Sequence, residues 1–181
     1  MQRVMILGQP GAGKTTLARR LGELTFLPVI HIDRLIHGPG WAALPADERD
    51  RRVAEAHARA AWIFEGGLAA TWPERLARAD TVIWIDLPLP LRLWRIARRR
   101  LQGHGQTRPD VPENCPERLR REFLVWVWRT RASGRAEIAR FFAGIPPSKD
   151  VYHLRSPREV ARFETALARA LAVGNLGIPH R

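Results

Sequence analysis

The chain has 181 residues, 45% of them apolar, which is enough for one globular domain with its own core. No run approaches the roughly eighteen apolar residues of a membrane-spanning helix, and a single cysteine, Cys115, excludes an internal disulfide. The formal net charge of +12 suits anionic partners, although charge alone predicts at most weak, non-specific nucleic-acid binding. Because Met1–Leu7 lacks a signal-peptide pattern, we expect a cytoplasmic protein with no membrane partner.

Five apolar runs predict strands, at Val4–Leu7, Pro28–Ile32, Trp62–Glu65, Thr81–Asp86 and Val151–Leu154. Helical patterns follow these runs, which is typical of a parallel α/β sheet with right-handed crossovers and helices on both faces. We predict helices at residues 14–22, 45–61, 91–101, 117–130, 134–143 and 157–172, the last of them capped by Ser156. Residues 102–116 contain two glycines and three prolines, which predicts an exposed and mobile loop.

The most specific pattern is the loop after the first predicted strand. Residues 8–15 read Gly-Gln-Pro-Gly-Ala-Gly-Lys-Thr and satisfy G-x-x-x-x-G-K-[ST], with a strand before the loop and a helix after it. Glycines let backbone N–H groups approach a triphosphate closely, and the helix N-terminus adds its positive dipole end. The sequence therefore predicts a site for ATP or a related triphosphate. We expect it to be formed by Gly8, Gly11, Ala12, Gly13, Lys14 on the β- and γ-phosphates, Thr15 on Mg²⁺ and Thr16 on the α-phosphate.

Two acids come at the ends of predicted strands, the edge at which open α/β sheets bind ligands. Asp33 could bind the acceptor hydroxyl, assist its deprotonation or hold Mg²⁺ through water; the alternative is a simple helix cap or turn acid. Asp86 resembles the acid at the end of a Walker B strand, or else it only solvates the strand end. If Asp86 is not near Mg²⁺, Glu65 and Asp33 must supply the acid.

Missing motifs narrow the class of phosphate-loop protein. The chain has no N-K-x-D guanine-reading motif and no L-S-G-G signature, which leaves a small single-domain kinase. It resembles the adenylate-kinase-like P-loop kinases and, within them, the proteins called DNA topology modulation proteins. Five segments carry the resemblance: the phosphate loop and residues 31–41, 79–88, 107–128 and 154–160.

The resemblance implies one domain over residues 1–181, with strand order 2-3-1-4-5, a lid near residues 102–116, and ATP and Mg²⁺ as cofactors. It also implies that Arg95 and Arg99, four residues apart on one helix face, meet adenine and the phosphates. Its further implied roles are Arg108 in the lid, Arg155 and Ser156 in nucleotide binding, and Glu65 and Asp86 near the metal. The other arginines of the helix at 91–101 (Arg92, Arg98 and Arg100) are expected to be a solvated basic face.

One departure from the resembled group affects the acceptor. The third strand ends in Glu65-Gly66-Gly67, where that group usually has Asp-Gly-Asn. The acceptor therefore stays open among nucleotides, nucleosides and other small metabolites, and so does the oligomeric state. The function predicted first is ATP- and Mg²⁺-dependent phosphoryl transfer to a small molecule. The alternative is a nucleotide-controlled DNA-binding regulator with slow ATPase activity.

Overall fold

The computed structural model describes residues 1–102 and 121–174. Within them, five parallel strands form one sheet in the order β2-β3-β1-β4-β5. Every residue of β3 and β4 is buried, which explains their continuous apolar sequences: a strand covered on both faces has no solvent side to alternate with. The predicted fold class and strand order are confirmed. The strands are β1 (Arg3–Gly8), β2 (Val29–His31), β3 (Trp62–Glu65), β4 (Thr81–Ile85) and β5 (Asp150–Leu154).

Helices cover both faces of the sheet, and alternate residues of β1 show how. Val4 and Ile6 face the layer formed by α1 and α8, whereas Met5 and Leu7 face the layer formed by α3, α4 and α7. All four side chains are essentially inaccessible, so each contributes about 1.5–3 kcal/mol of hydrophobic stabilisation. The helices are α1 (Lys14–Thr25), α2 (Ile32–Ile36), α3 (Ala46–His57), α4 (Trp72–Arg78), α5 (Leu89–Gln102), α6 (Arg121–Arg129), α7 (Arg131–Ala143) and α8 (Pro157–Ala172).

The structure corrects several predicted boundaries. Helix α1 continues past Gly22 to Thr25. This glycine does not end the helix but allows it to pack closely on β2, because a Cβ there would lie 2.6 Å from Val29 Cγ2. Ile32 begins α2 and does not extend β2, and α4 was not predicted at all. At α8 the prediction is confirmed: Ser156 Oγ accepts a hydrogen bond from the Glu159 N–H, and the helix ends at Ala172.

Part of the sequence prediction lies outside the described residues. This applies to the predicted lid beyond Gln102, including Arg108, and to the first residues of the helix predicted at 117–130. Among the residues that are described, no helix combines the length and apolarity needed to cross a membrane.

Candidate active site

The loop between β1 and α1 has a backbone that only glycine adopts without strain. Gly8, Gly11 and Gly13 have φ values of +150°, +79° and +100°. Gly13 precedes the first residue of α1, and no side chain caps the helix there. The first N–H groups of α1 therefore point into the loop without an intrahelical partner, the arrangement that binds phosphate oxygens.

Two of these glycines also let the loop pack against neighbouring backbone. A Cβ on Gly8 would lie 2.7 Å from the carbonyl oxygen of Ile85, at the end of β4. A Cβ on Gly11 would lie 2.5 Å from the carbonyl oxygen of Arg92, in α5. Real Cβ atoms do not approach that closely, so the loop is wedged between β4 and α5 and could not keep this position with side chains at either site.

Arginines of α5 bind the carbonyl oxygens of the loop. Arg92 Nη1 donates to the Pro10 carbonyl at 3.3 Å, and Arg95 Nη1 donates to the Ala12 carbonyl at 3.0 Å. Arg92 is only 2% exposed, so its expected place on a solvated basic face is wrong. Arg98 is exposed as expected and lies against the ring of Trp94. The first turns of α5 therefore hold two positive charges against the phosphate loop.

Lys14 lies where the loop enters α1, half-buried, with Nζ 3.4 Å from the Gln9 carbonyl oxygen. Burial lowers the pKa of its ammonium, while the nearby carboxylates of Glu65 and Asp33 act in the opposite direction. Arg99 is close enough to lower the same pKa. Three further predicted site residues, Asp33, Glu65 and Arg99, are thus within electrostatic reach of Lys14.

Glu65 is the buried acid of this cluster. It ends β3, beside the central strand, and is 6% exposed. Its Oε1 accepts a 3.1 Å hydrogen bond from Thr15 Oγ1 and lies 2.7 Å from His31 Nδ1. Burial alone would raise the pKa of Glu65, but the contact with His31 and the charge of Lys14 outweigh it, and the pKa is lowered. The carboxyl group is therefore an anion beside the hydroxyl that is expected to bind Mg²⁺.

Asp86 belongs to a second cluster, after β4. Arg135, from α7, donates to both of its carboxylate oxygens at 2.7–3.1 Å, and His153 Nε2 lies 3.1 Å from Oδ2. Burial would raise the pKa of Asp86, but these two partners lower it. His153 in turn stacks on Trp84, with ring centroids 4.0 Å apart and 4° between planes. Asp86 thus contacts side chains of α7 and β5, and no described hydrogen bond joins it to Thr15.

An open cavity of about 360 Å³ adjoins the phosphate loop on the side of β4 and β5. Its lining is strongly basic: Arg92, Arg131, Arg135 and Arg155 face it, together with the one acid, Asp86. Arg155, predicted to bind nucleotide, is therefore on the wall of a basic cavity next to the loop. The remaining lining residues are Gln9, Leu87, Pro88, Leu89 and Ala132.

The other predicted residues have simpler positions. Thr16 is exposed on the first turn of α1. The Ser156 hydroxyl is occupied at the N-terminus of α8, where it accepts from the Glu159 N–H and lies 3.3 Å from Glu159 Oε1. Its predicted contact with nucleotide stays a prediction.

The residues present fit Mg²⁺ and a triphosphate. A hydroxyl and an ionised carboxylate are hard oxygen donors, which Mg²⁺ prefers, and it commonly keeps several waters beside them. The described residues contain no cluster of three or more His, Cys, Asp or Glu that could bind a metal without such help. The three glycines leave their side of the loop open to phosphate oxygens.

Sequence reasoning missed three residues of this region: His31, Arg92 and Arg135. His31 faces Glu65 through the pairing of β2 with β3, which neither segment reveals alone. Arg135 reaches Asp86 across 49 positions of sequence. For Arg92 a signal did exist, because its spacing of three from Arg95 places both on neighbouring positions of one helix face.

No family model and no curated protein matches the sequence. Solved structures do match. Shikimate kinase from Acinetobacter baumannii, in complex with shikimate, is 18% identical with a TM-score of 0.51, covering 98% of this chain and 97% of that one. An unliganded sugar kinase from Janibacter sp. HTCC2649 is also 18% identical with a TM-score of 0.51, covering 96% of this chain and 98% of that one. At this identity the likeness establishes the fold alone, and the chain has the fold of the P-loop kinases.

Proposed function

We propose that this protein is an ATP- and Mg²⁺-dependent kinase that phosphorylates a small molecule. One cluster carries the proposal: a loop with three glycines at positive φ, a half-buried lysine at its end, and Thr15 hydrogen-bonded to the buried Glu65. A loop that merely reversed the chain would require neither the lysine nor the buried acid. Phosphoryl transfer requires both, because its catalysis is mainly positioning and charge stabilisation.

The donor half of the mechanism follows from the loop and α5. Backbone N–H groups at the start of α1 bind phosphate oxygens, and Lys14 neutralises the β- and γ-phosphates. Mg²⁺, held by Thr15 and through water by Glu65, would supply a positive charge that offsets the charge on the transferred group. Arg95 and Arg99 add fixed positive charge beside the phosphates, and we propose the same role for Arg108.

We propose that the basic cavity takes the rest of the nucleotide. It is continuous with the phosphate loop at Gln9, and its arginines could stack on a base and donate to the α-phosphate. Arg155 would contact the nucleotide there, and Ser156 would support it by fixing the first turn of α8. The predicted contact of Asp86 with the metal remains open; its present contacts suit a second role, which is to orient Arg135.

The acceptor half lies at the ends of β2 and β3. Asp33, in the first turn of α2, is close enough to Lys14 to affect its pKa. We propose that its carboxylate binds the acceptor hydroxyl and assists its deprotonation as the phosphoryl group arrives. The shikimate and sugar kinases of similar fold act on small molecules, which supports an acceptor of that size.

Membership of the DNA topology modulation group and a cytoplasmic location are also parts of the proposal, and both rest on sequence. The arginines that suggested nucleic-acid binding include Arg92 and Arg95, whose guanidinium groups bind the phosphate loop. We therefore propose that nucleic acid binds weakly and without sequence preference.

The testing experiment is a screen for ATP consumption in the presence of Mg²⁺. Acceptor candidates are nucleoside monophosphates, nucleosides, sugars and hydroxy acids, each followed by detection of the phosphorylated product. We expect one class of acceptor to raise ADP release well above the rate without acceptor. Tight ATP binding with no phosphorylated product from any class, combined with salt-resistant binding of duplex DNA, would favour the regulator instead.

A further inference from the structure

We propose that His31 is a positioning residue of the Mg²⁺ site, which holds the Glu65 carboxylate in the orientation that the metal requires. The inference rests on the proposed function. It concerns a residue to which neither the phosphate-loop motif nor the acids at the strand ends assign a role.

The sheet register places the two residues side by side. His31 is the last residue of β2 and Glu65 is the last residue of β3, and the two are direct partners in the parallel ladder. Directly paired residues project from the same face of a sheet. Both side chains are largely shielded from water, with 12% and 8% of their surface exposed.

Two donors converge on one oxygen of the carboxylate. His31 Nδ1 lies 2.7 Å from Oε1, and Thr15 Oγ1 lies 3.1 Å from the same atom. Because Glu65 is ionised, it can only accept, so Nδ1 carries the proton in this contact. The two donors constrain the position of Oε1, and Oε2 is the atom that we assign to the Mg²⁺-bound water.

The length of the side chain explains why a fixing residue is needed here. Glutamate has one more rotatable bond than aspartate, so its carboxylate samples more positions when nothing holds it. Metal sites commonly fix a ligand or a ligand's partner with hydrogen bonds from outside the coordination shell, and loss of such a bond weakens metal affinity about 10–100-fold. His31 performs that task for a glutamate whose strand continues into Gly66 at φ +121°.

A purely structural reading competes with this one. A histidine beside a buried glutamate could simply satisfy the buried acid. In that case its replacement would weaken folding, and any loss in nucleotide binding would be the same with and without Mg²⁺. A positioning role predicts a loss confined to the Mg²⁺-dependent part of nucleotide affinity.

The experiment measures ADP affinity by calorimetry, with Mg²⁺ and with EDTA, in the full chain. His31→Asn and His31→Gln form a matched pair: the asparagine amide falls near Nδ1 and keeps the donor, whereas the glutamine amide falls near Nε2 and loses it. We expect the gain in affinity on adding Mg²⁺ to stay within about threefold of wild type in His31→Asn, and to fall about tenfold or more in His31→Gln. Affinity in EDTA should change less than twofold in both variants.

A third variant, Glu65→Gln, checks that His31 acts through Glu65. We expect it to lose the Mg²⁺-dependent gain, and we expect the double variant with His31→Gln to lose no more than Glu65→Gln alone. A wild-type Mg²⁺ gain in His31→Gln, or equal losses with Mg²⁺ and with EDTA, would overturn the positioning role and leave the proposed function intact. Absence of ADP binding to the wild-type protein would instead refute the proposed function, and this inference with it.

Discussion

Replacing Gly11 by alanine should destabilise the nucleotide-free protein, because the new methyl group would crowd α5. An L-residue at φ +79° is strained by about 1–2 kcal/mol. The new Cβ would also lie 2.5 Å from the Arg92 carbonyl oxygen and 3.0 Å from Ile96 Cγ1. Crowding of a packed site costs about 1–3 kcal/mol, so the two effects together predict about 2–5 kcal/mol. That is a large share of the roughly 5–15 kcal/mol by which domains are stable.

Two other glycines separate the two effects. Gly40 has φ +69° but nothing within 4 Å of a built Cβ, so Gly40→Ala should show the backbone strain alone. Gly67 has neither a left-handed φ nor a neighbour within 4 Å, so Gly67→Ala should be nearly neutral. The entropy lost from the unfolded chain is common to all three substitutions and cancels in the comparison.

Urea unfolding followed by tryptophan fluorescence gives the three free energies of unfolding. We expect Gly11→Ala to be the least stable variant, by about 1–3 kcal/mol relative to Gly40→Ala. Equal stability of these two variants would refute the wedging of the loop against α5, because strain at φ would then account for the whole effect. ADP affinity, measured on the same samples, should fall only in Gly11→Ala.

Three further predictions use other parts of the molecule. Lys14→Ala should lower kcat at least about 10²-fold with little change in stability. The control is Lys149→Ala, which removes the other lysine and its bond to the Ala79 carbonyl and should affect stability but leave kcat nearly unchanged. Equal turnover in wild type and Lys14→Ala would contradict the proposed function. The pKa of Asp86 is lowered in the folded state, so its stabilising contribution is present above the unfolded pKa of about 3.9 and is lost as pH falls through the folded pKa. The difference in unfolding free energy between wild type and Asp86→Asn should therefore shrink below about pH 4. A constant difference across that range would argue against the ion pair with Arg135. Duplex DNA should bind with an affinity that falls steeply as salt rises, and ATP should compete with it. Sub-micromolar DNA binding that persists at physiological salt would favour the DNA-binding regulator over the kinase.

The positions of the strands and the phosphate loop could be predicted because their signals are local, whereas the strand order was implied by the resemblance to P-loop kinases. Each pattern occupies only a few neighbouring residues: an apolar run for a strand, and spaced glycines followed by a Lys-Thr pair for the phosphate loop. Helix α4 was missed because it has only seven residues, too few to show a clear helical pattern in the sequence. A helix of that length is not stable in isolation. Tertiary contacts stabilise it: Trp72 packs on Phe141 with ring centroids 5.1 Å apart, and Arg75 lies 5.0 Å from the centre of the Phe64 ring.

The candidate site likewise contains residues that could be located from the sequence and residues that could not. Glu65 could be located because it ends a strand, and its hydrogen bond to Thr15 follows from the adjacency of β3 and β1. Its partner His31 could not, because a one-residue change in the pairing of β2 with β3 would have sent the two side chains to opposite faces. For Arg92, the spacing of three from Arg95 was a usable signal, but it does not show which face of α5 meets the loop.

Gln9 occupies an unspecified position of the phosphate-loop motif, and its side chain makes contacts outside the loop. The pattern G-x-x-x-x-G-K-[ST] leaves this position unspecified, yet Gln9 Nε2 donates to the backbone carbonyls of Thr130 and Arg131, at the junction of α6 and α7. The glycines, Lys14 and Thr15 of the motif face the expected phosphate site, whereas the Gln9 amide fastens the loop to the junction of α6 and α7. Through this one side chain, a displacement of the junction of α6 and α7 would act directly on the phosphate loop.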